Sequence, residues 1–276
     1  MPPKASKRKA ANGYKLPDHL PEGLIVTSTS KKSFRLGKSI GLGGFGEIYL
    51  ASEDTSRPVG EDATLALKIE PHENGPLFVE MNFYIRAAQP SYVEDFKKAK
   101  GLKSFGMPCL RGSGSHVYKN EKYRFLVMDR FGGDLQKIFQ TGKKCFSDRV
   151  TYNLALKIID VLEYIHSKGY VHNDIKAQNL LLGYGRTKEN DVYLVDFGLV
   201  SKYQKDGVHY EYKPDARKAH DGTIGEYFSL LRKIFCISCL FTIFNIFCLL
   251  LQSTLPEMHT LELILGEVIW KSLDII

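Results

Sequence analysis

No set of cysteines and histidines in this sequence is spaced as metal ligands. Of the five cysteines, Cys236 and Cys239 are separated by two residues, but they sit in an apolar run without partner ligands, so zinc is not expected. The other thiols fit a reducing compartment. An apolar leader is also missing. The chain starts MPPKASKRKAANGYK, basic and polar, and no signal peptide is expected. There is no internal repeat. Extremes of composition are absent too: 276 residues with 43% hydrophobic and 25% charged side chains lie near globular averages and allow one large domain or two lobes with cores. The net charge of +7 is modest and partly local, in Lys4, Lys7, Arg8 and Lys9. That cluster reads as a solvated tail, or as a nuclear-import or nucleic-acid-contacting arm, and the readings are compatible. No direct nucleic-acid site is expected.

What is present changes along the chain. Residues 1–30 lack apolar periodicity and read as a basic, extended arm. From Phe34 the pattern becomes strand-like, with Ile48 and Leu50 alternating with Glu47, Tyr49 and Ala51. A polar turn from Ser52 to Asp62 leads to a second strand over 64–70. Pro76 to Ala88 reads as a helix with Phe78, Met81 and Ile85 on one stripe. Tyr123 to Met128 is another strand. Beyond Gly132-Gly133 the pattern turns helical, with Leu154, Ile158, Val161, Leu162 and Ile165 spaced along a helix from Ser147 to Ser167. Val192 to Val195 is a short strand. The organisation is β-rich over 31–131 and α-rich over 132–224, with an atypical segment over 225–276.

Gly41-Leu42-Gly43-Gly44-Phe45-Gly46 fits G-x-G-x-x-G. A dinucleotide-binding turn opening a helix and a nucleotide flap joining two strands both use it, because phosphate must approach backbone without a Cβ in the way. A glycine-rich hairpin without ligand is the plain alternative. The strand pattern from Glu47 to Ala51 favours the flap, with Ile48 over the adenine. Lys68 ends Leu65-Ala66-Leu67-Lys68 and shares a strand face with the small Ala66. A lysine there reaches α- and β-phosphates if a carboxylate holds it, and Glu80 on the next helix is placed to do so.

Val171-His172-Asn173-Asp174-Ile175-Lys176-Ala177-Gln178-Asn179 follows the long helix and fits H-x-D-x-K-x-x-N. Asp174 can orient a substrate hydroxyl and take its proton. Lys176 can neutralise charge on a transferring phosphoryl group, and Asn179 offers an oxygen to Mg2+. His172 reads as a prop for the loop. Asp196-Phe197-Gly198 comes 22 residues after Asp174, behind a polar turn and a strand. Asp196 is the second expected Mg2+ ligand, and Phe197 is expected under the helix bearing Glu80.

Taken in order, these motifs resemble a protein kinase over about 34–224, and more closely the vaccinia-related kinases, near the casein kinase 1 group. The likeness rests on Gly43-Gly44-Phe45-Gly46 with Ile48-Tyr49-Leu50-Ala51, Glu73-Asn74-Gly75-Pro76-Leu77-Phe78, Met128-Asp129-Arg130-Phe131-Gly132, Leu162-Glu163-Tyr164-Ile165-His166, and His220-Asp221-Gly222-Thr223-Ile224. It implies an α+β, bilobal kinase-like fold with a β-rich N-lobe and an α-rich C-lobe. It implies ATP and Mg2+ as cofactors and transfer of the γ-phosphate to protein serine or threonine. Ile40, Gly41, Gly43, Gly46, Ile48, Lys68, Glu80, Met128 and Asp129 would contact nucleotide, with Met128 as gatekeeper and Asp129 to Phe131 as hinge. Chromatin or nuclear-envelope proteins would be substrates, and nucleus or cytoplasm the location. Asn173 stands where many kinases carry an arginine that pairs with a phosphorylated activation loop, which implies activity without that phosphate. The family usually has glycine there.

The resemblance stops after Ile224, so the C-lobe reads as incomplete. A truncated form that binds nucleotide or partners without turnover is therefore the alternative function. Ile234 to Leu251 is eighteen residues without a charge, preceded by Arg232 and Lys233. It reads as a transmembrane helix with the kinase portion cytosolic, as a buried helix of an altered lobe, or as the product of a misspliced transcript.

Overall fold

The computed structural model describes residues 15–43, 46–142, 146–205 and 207–210. Short β-prone runs separated by polar turns build a six-stranded sheet from β1 (Ile25–Thr27), β2 (Ser33–Leu42), β3 (Glu47–Ser52), β4 (Leu65–Pro71), β5 (Gly112–Tyr118) and β6 (Glu121–Asp129). The strand order is β1-β2-β3-β4-β6-β5, and every pairing is antiparallel. Register sorts the side chains. Ile48 lies opposite Lys68, which lies opposite Leu126; Ala66 lies between Leu50 and Met128. Residues directly opposite share a face, so Ile48, Ala66, Lys68 and Met128 line one side. Tyr49, Leu67, Ile69, Phe125 and Val127 line the other, in a core closed by Leu20, Val26, Phe34 and Leu36.

Between β4 and β5 the chain leaves the sheet for α1 (Pro76–Ala87) and α2 (Pro90–Ala99). Each starts with proline in its first turn, where a missing N–H costs nothing. The second half contributes β7 (Phe131–Asp134), α3 (Leu135–Thr141), α4 (Asp148–Ser167), β8 (Tyr170–Val171), β9 (Leu180–Gly183), β10 (Val192–Leu194) and β11 (Ser201–Lys202). Asp134 caps α3 by accepting from Lys137 N at 2.7 Å, and Ser147 caps α4. The inner face of the sheet, α1 and α4 meet in a second core that includes Phe83, Tyr84, Val161, Tyr164, Ile165, Leu194 and Phe197. The Tyr164 hydroxyl donates to Ala87 O, tying α4 to the end of α1. The fold is thus α+β and bilobal, a strand-rich lobe against a helix-rich one, with the site in between.

Two expectations need correction. The extended arm does not run to residue 30: Leu20 and Val26 are buried, β1 pairs with β2, and Leu20 N donates to the Tyr49 hydroxyl at 2.9 Å. Prolines and glycines space these apolar residues irregularly, which hides their burial from any periodicity. The stripe Phe78, Met81, Ile85 is not the core face of α1. Phe78 and Ile85 are exposed, while Leu77, Glu80, Phe83, Tyr84 and Ala87 are buried. A buried glutamate interrupts the apolar stripe, so hydropathy selects the wrong side. Helices α2 and α3 and strand β5, absent from the sequence expectations, are found as well. Among the described residues no helix is long and apolar enough to cross a membrane. The run from Ile234 to Leu251, with everything after residue 210, lies outside them.

Candidate active site

Strand β4 and helix α1 bring Lys68 and Glu80 together, and the turn after β10 brings Asp196 to the same lysine. Lys68 Nζ is 2.7 Å from Glu80 Oε2 and 3.0 Å from Asp196 Oδ1. Glu80 is 1% exposed, and its other oxygen accepts from Phe197 N at 3.3 Å. Burial works against the charge on Lys68, yet Asp196 and then Glu80 outweigh it and hold the lysine pKa above its ordinary value. The two carboxylates are pulled opposite ways: burial raises Glu80, whereas the charge of Lys68 lowers Asp196. Asp196, the more exposed, is the firmer anion.

Phe197 is fully buried beneath α1. It stacks on Phe83 at 4.3 Å and meets Tyr84 edge-on at 5.5 Å and His172 at 4.6 Å. One aromatic column therefore joins α1, the Asp196 turn and the loop after β8. Asp196 itself has φ +66°, a conformation that non-glycine residues adopt at a cost of about 1–3 kcal/mol and keep only where their surroundings enforce it.

That loop holds the second cluster. Lys176 Nζ is 2.9 Å from Asp174 Oδ2. Asn179 Nδ2 donates to Asp174 O at 2.8 Å and to Oδ2 at 3.0 Å. Both partners are acceptors, so the amide nitrogen must face them and the amide oxygen faces away. Asp174 N donates to His172 Nδ1 at 3.2 Å, which puts the ring proton on Nε2, donating to Val195 O at 3.2 Å. Burial pushes His172 down to about 4, so the ring is neutral near pH 7. Val195 N donates to Asn179 O at 2.9 Å, locking the loop to the strand before Asp196. Asn173 takes φ +66°, tolerated by asparagine and glycine, and its amide donates to Leu199 O at 2.9 Å and to Ser201 Oγ at 2.8 Å.

Strands β2 and β3 flank the glycine run and pair up to Leu42 and Glu47. Gly43 N donates to Gly46 O at 2.8 Å. A Cβ on Gly46 would sit 2.2 Å from Ile69 O, so glycine is required there by the protein's own backbone. Among the described residues, Cβ atoms on Gly41 or Gly43 would meet nothing nearer than 3.9 and 3.6 Å. Ile40 is exposed, and Ile48 lies opposite Gly41 and Lys68. Met128 stands beside Ala66. The Asp129 carboxylate is taken by Arg111, at 2.7 and 3.0 Å, which leaves Asp129 its backbone for other contacts. Two links escaped the sequence reading: the Arg111–Asp129 pair, and Glu47, whose carboxylate accepts from Ser39 Oγ at 2.6 Å and lies 2.9 Å from His19 Nδ1. Neither has a motif, because the partners are brought together only by pairing and chain reversal.

Comparison with known proteins agrees with this geometry. The protein kinase domain family matches residues 113–216. Nucleosomal histone kinase 1 of Drosophila melanogaster is 45% identical over 221 residues, covering 80% of this chain and 35% of the relative. Human serine/threonine-protein kinase VRK2 is 45% identical over 225 residues, covering 81% of this chain and 42% of the relative. A solved structure of vaccinia related kinase 3 superposes with a TM-score of 0.65 at 29% identity, covering 75% of this chain and 60% of that one. Over about four fifths of its length this chain is thus similar to the vaccinia-related kinases. It spans less than half the length of the two curated relatives with 45% identity. Within this chain the residues singled out from sequence fall into two groups: Gly41, Gly43, Gly46, Ile48, Lys68, Glu80 and Met128 in the strand-rich half, and Asp174, Lys176, Asn179 and Asp196 in the helix-rich half, joined where Asp196 meets Lys68. The donor set suits a nucleotide with a hard cation, since a carboxylate held anionic and an outward amide oxygen are both oxygen ligands.

Proposed function

We propose that this chain transfers the γ-phosphoryl group of ATP to serine or threonine hydroxyls of proteins. The convergence of Glu80 and Asp196 on Lys68, from positions 12 and 128 residues away, carries the reading. Phosphoryl transfer asks chiefly for positioning and charge, and little covalent chemistry from the protein. Lys68, fixed by Glu80, would bind the α- and β-phosphates. Gly41 and Gly43 leave the backbone accessible to them, with Ile40 and Ile48 against the adenine and the Asp129 backbone at its edge. Asp196 and the Asn179 amide oxygen would hold Mg2+, which supplies charge neutralisation at the phosphates when bound. Asp174, held by the Asn179 amide and by Lys176, would orient the substrate hydroxyl and take its proton, while Lys176 offsets charge on the group in flight.

The relative named a nucleosomal histone kinase supports chromatin proteins as substrates and the nucleus as location. Asn173 supports activity without an activation-loop phosphate, because its amide already ties the catalytic loop to Leu199 and Ser201. The deciding experiment is transfer of radiolabelled phosphate from ATP to histone or casein, beside an Asp174→Asn control. Transfer by the parent with a loss of about a hundredfold or more in the variant is expected. Equal signal from both defeats the proposal. Thermal stabilisation by ATP and magnesium without transfer would support binding alone.

A further inference from the structure

Helix α1 starts without a cap of its own. Gly75, at its N-cap, has no side chain, and Pro76 has no N–H. Phe78 N and Val79 N both reach back to Gly75 O, at 3.0 and 3.2 Å. That leaves Leu77 N, on a fully buried residue, where a missing partner would be costly. Glu70 Oε1, from the end of β4, accepts this N–H at 2.8 Å. Glu70 is fully buried and lies two residues beyond Lys68, on the same face of the strand. Its Oε2 has no hydrogen-bond partner among the described residues. Arg124 Nη1 stands off at 3.9 Å from Glu70 and spends its closer contact on Asn74 O, at 3.2 Å, in the turn that leads into α1. The carboxyl thus faces a helix start more closely than it faces a cation. Glu80 follows Leu77 by three residues, less than one helical turn.

We propose that Glu70 is a positioning residue for phosphoryl transfer: it anchors the first turn of α1 to β4 and thereby sets Glu80 against Lys68. The same strand then carries both the phosphate-binding lysine and the group that aligns the lysine's partner. Burial pushes Glu70 up to about 7 against the opposing pull of Leu77 N, Lys68 and Arg124, so an uncharged acceptor serves as well as a charged one at this position. This inference rests on the kinase reading.

The test compares Glu70→Gln, which keeps an acceptor oxygen, with Glu70→Leu, which does not. Glu70→Gln should keep kcat/KM for ATP within about twofold, and Glu70→Leu should lose about tenfold, the range a lost helix cap implies. The loss should vanish in a Glu80→Ala background, because Glu70 acts only through Glu80. If Glu70→Leu does not fold, Glu70→Asp, shortened by one methylene, should show a smaller loss with the same dependence on Glu80. Three results overturn the proposal: a folded Glu70→Leu with parental kinetics, a Glu70→Gln as damaged as Glu70→Leu, or full additivity with Glu80→Ala. An active parent beside any of these sinks this inference alone. A parent that transfers no phosphate, whether or not it binds ATP, removes the kinase reading and this inference with it.

Discussion

The two charged clusters of the cleft are assembled in opposite ways. Asp174, Lys176 and Asn179 lie within six consecutive positions, and one loop holds their contacts at 2.8 to 3.0 Å. Lys68, Glu80 and Asp196 come from a strand, a helix and a turn separated by up to 128 positions. The first cluster is a local object that a short motif can encode. The second exists only while β4, α1 and the aromatic column under α1 hold their places. Damage to the first should therefore remove chemistry and spare the fold, whereas damage to the second should weaken both.

The sharpest contrast is Asp174→Asn. Transfer should fall about 10²- to 10⁴-fold while unfolding stability in urea stays within about 1 kcal/mol of the parent. A large loss of stability would break the comparison. Lys68→Met is the counterpart. It leaves Glu80, at 1% exposure, as a buried carboxyl without its cation, and a cost of about 3 kcal/mol or more is expected in urea unfolding, together with a raised KM for ATP. An unchanged unfolding midpoint would show that the second cluster is as self-contained as the first.

Titration sharpens the comparison at smaller amplitude. His172 has a folded pKa of about 4 against an ordinary 6.5. Its contribution is full above 6.5 and is lost as pH falls toward 4, since only the unfolded chain takes up the proton in that window. Glu70 runs the other way. Its folded pKa is about 7 against an ordinary 4.5, so its contribution is full below 4.5 and is lost as pH rises toward 7. Glu70→Gln should accordingly raise Tm at pH 8 by at least about 3 °C and leave it nearly unchanged at pH 4.5. A gain at both pH values would mean that ionisation is not its cause. The smallest effect is expected at Asn173. Asn173→Gly keeps the left-handed backbone and loses two side-chain hydrogen bonds, a cost of about 1–2 kcal/mol. Phosphatase treatment should leave transfer by the parent unchanged. Dependence on an added phosphate would contradict the role given to the Asn173 amide.

How far the sequence reached follows the same division. Strands β3, β4 and β6 and helix α4 were legible because their apolar residues alternate or recur at helical spacing. The buried side of α1 was not, because Glu80 stands in the middle of it and reads as polar. The packing of residues 15–30 was missed because a segment with few apolar residues gains its burial from a sheet it cannot predict.

By itself the sequence determined the chemistry: which side chains carry charge, which short stretch gathers a carboxylate, a lysine and an amide, and which glycines leave backbone bare. Tertiary structure alone decided that Asp196 joins Glu80 at Lys68, that Gly46 lies against Ile69 O, and that Glu70 sits at the start of α1. Contacts between residues far apart in the chain depend on strand register and helix docking, and these are set by the fold's shared cores, not by any local pattern.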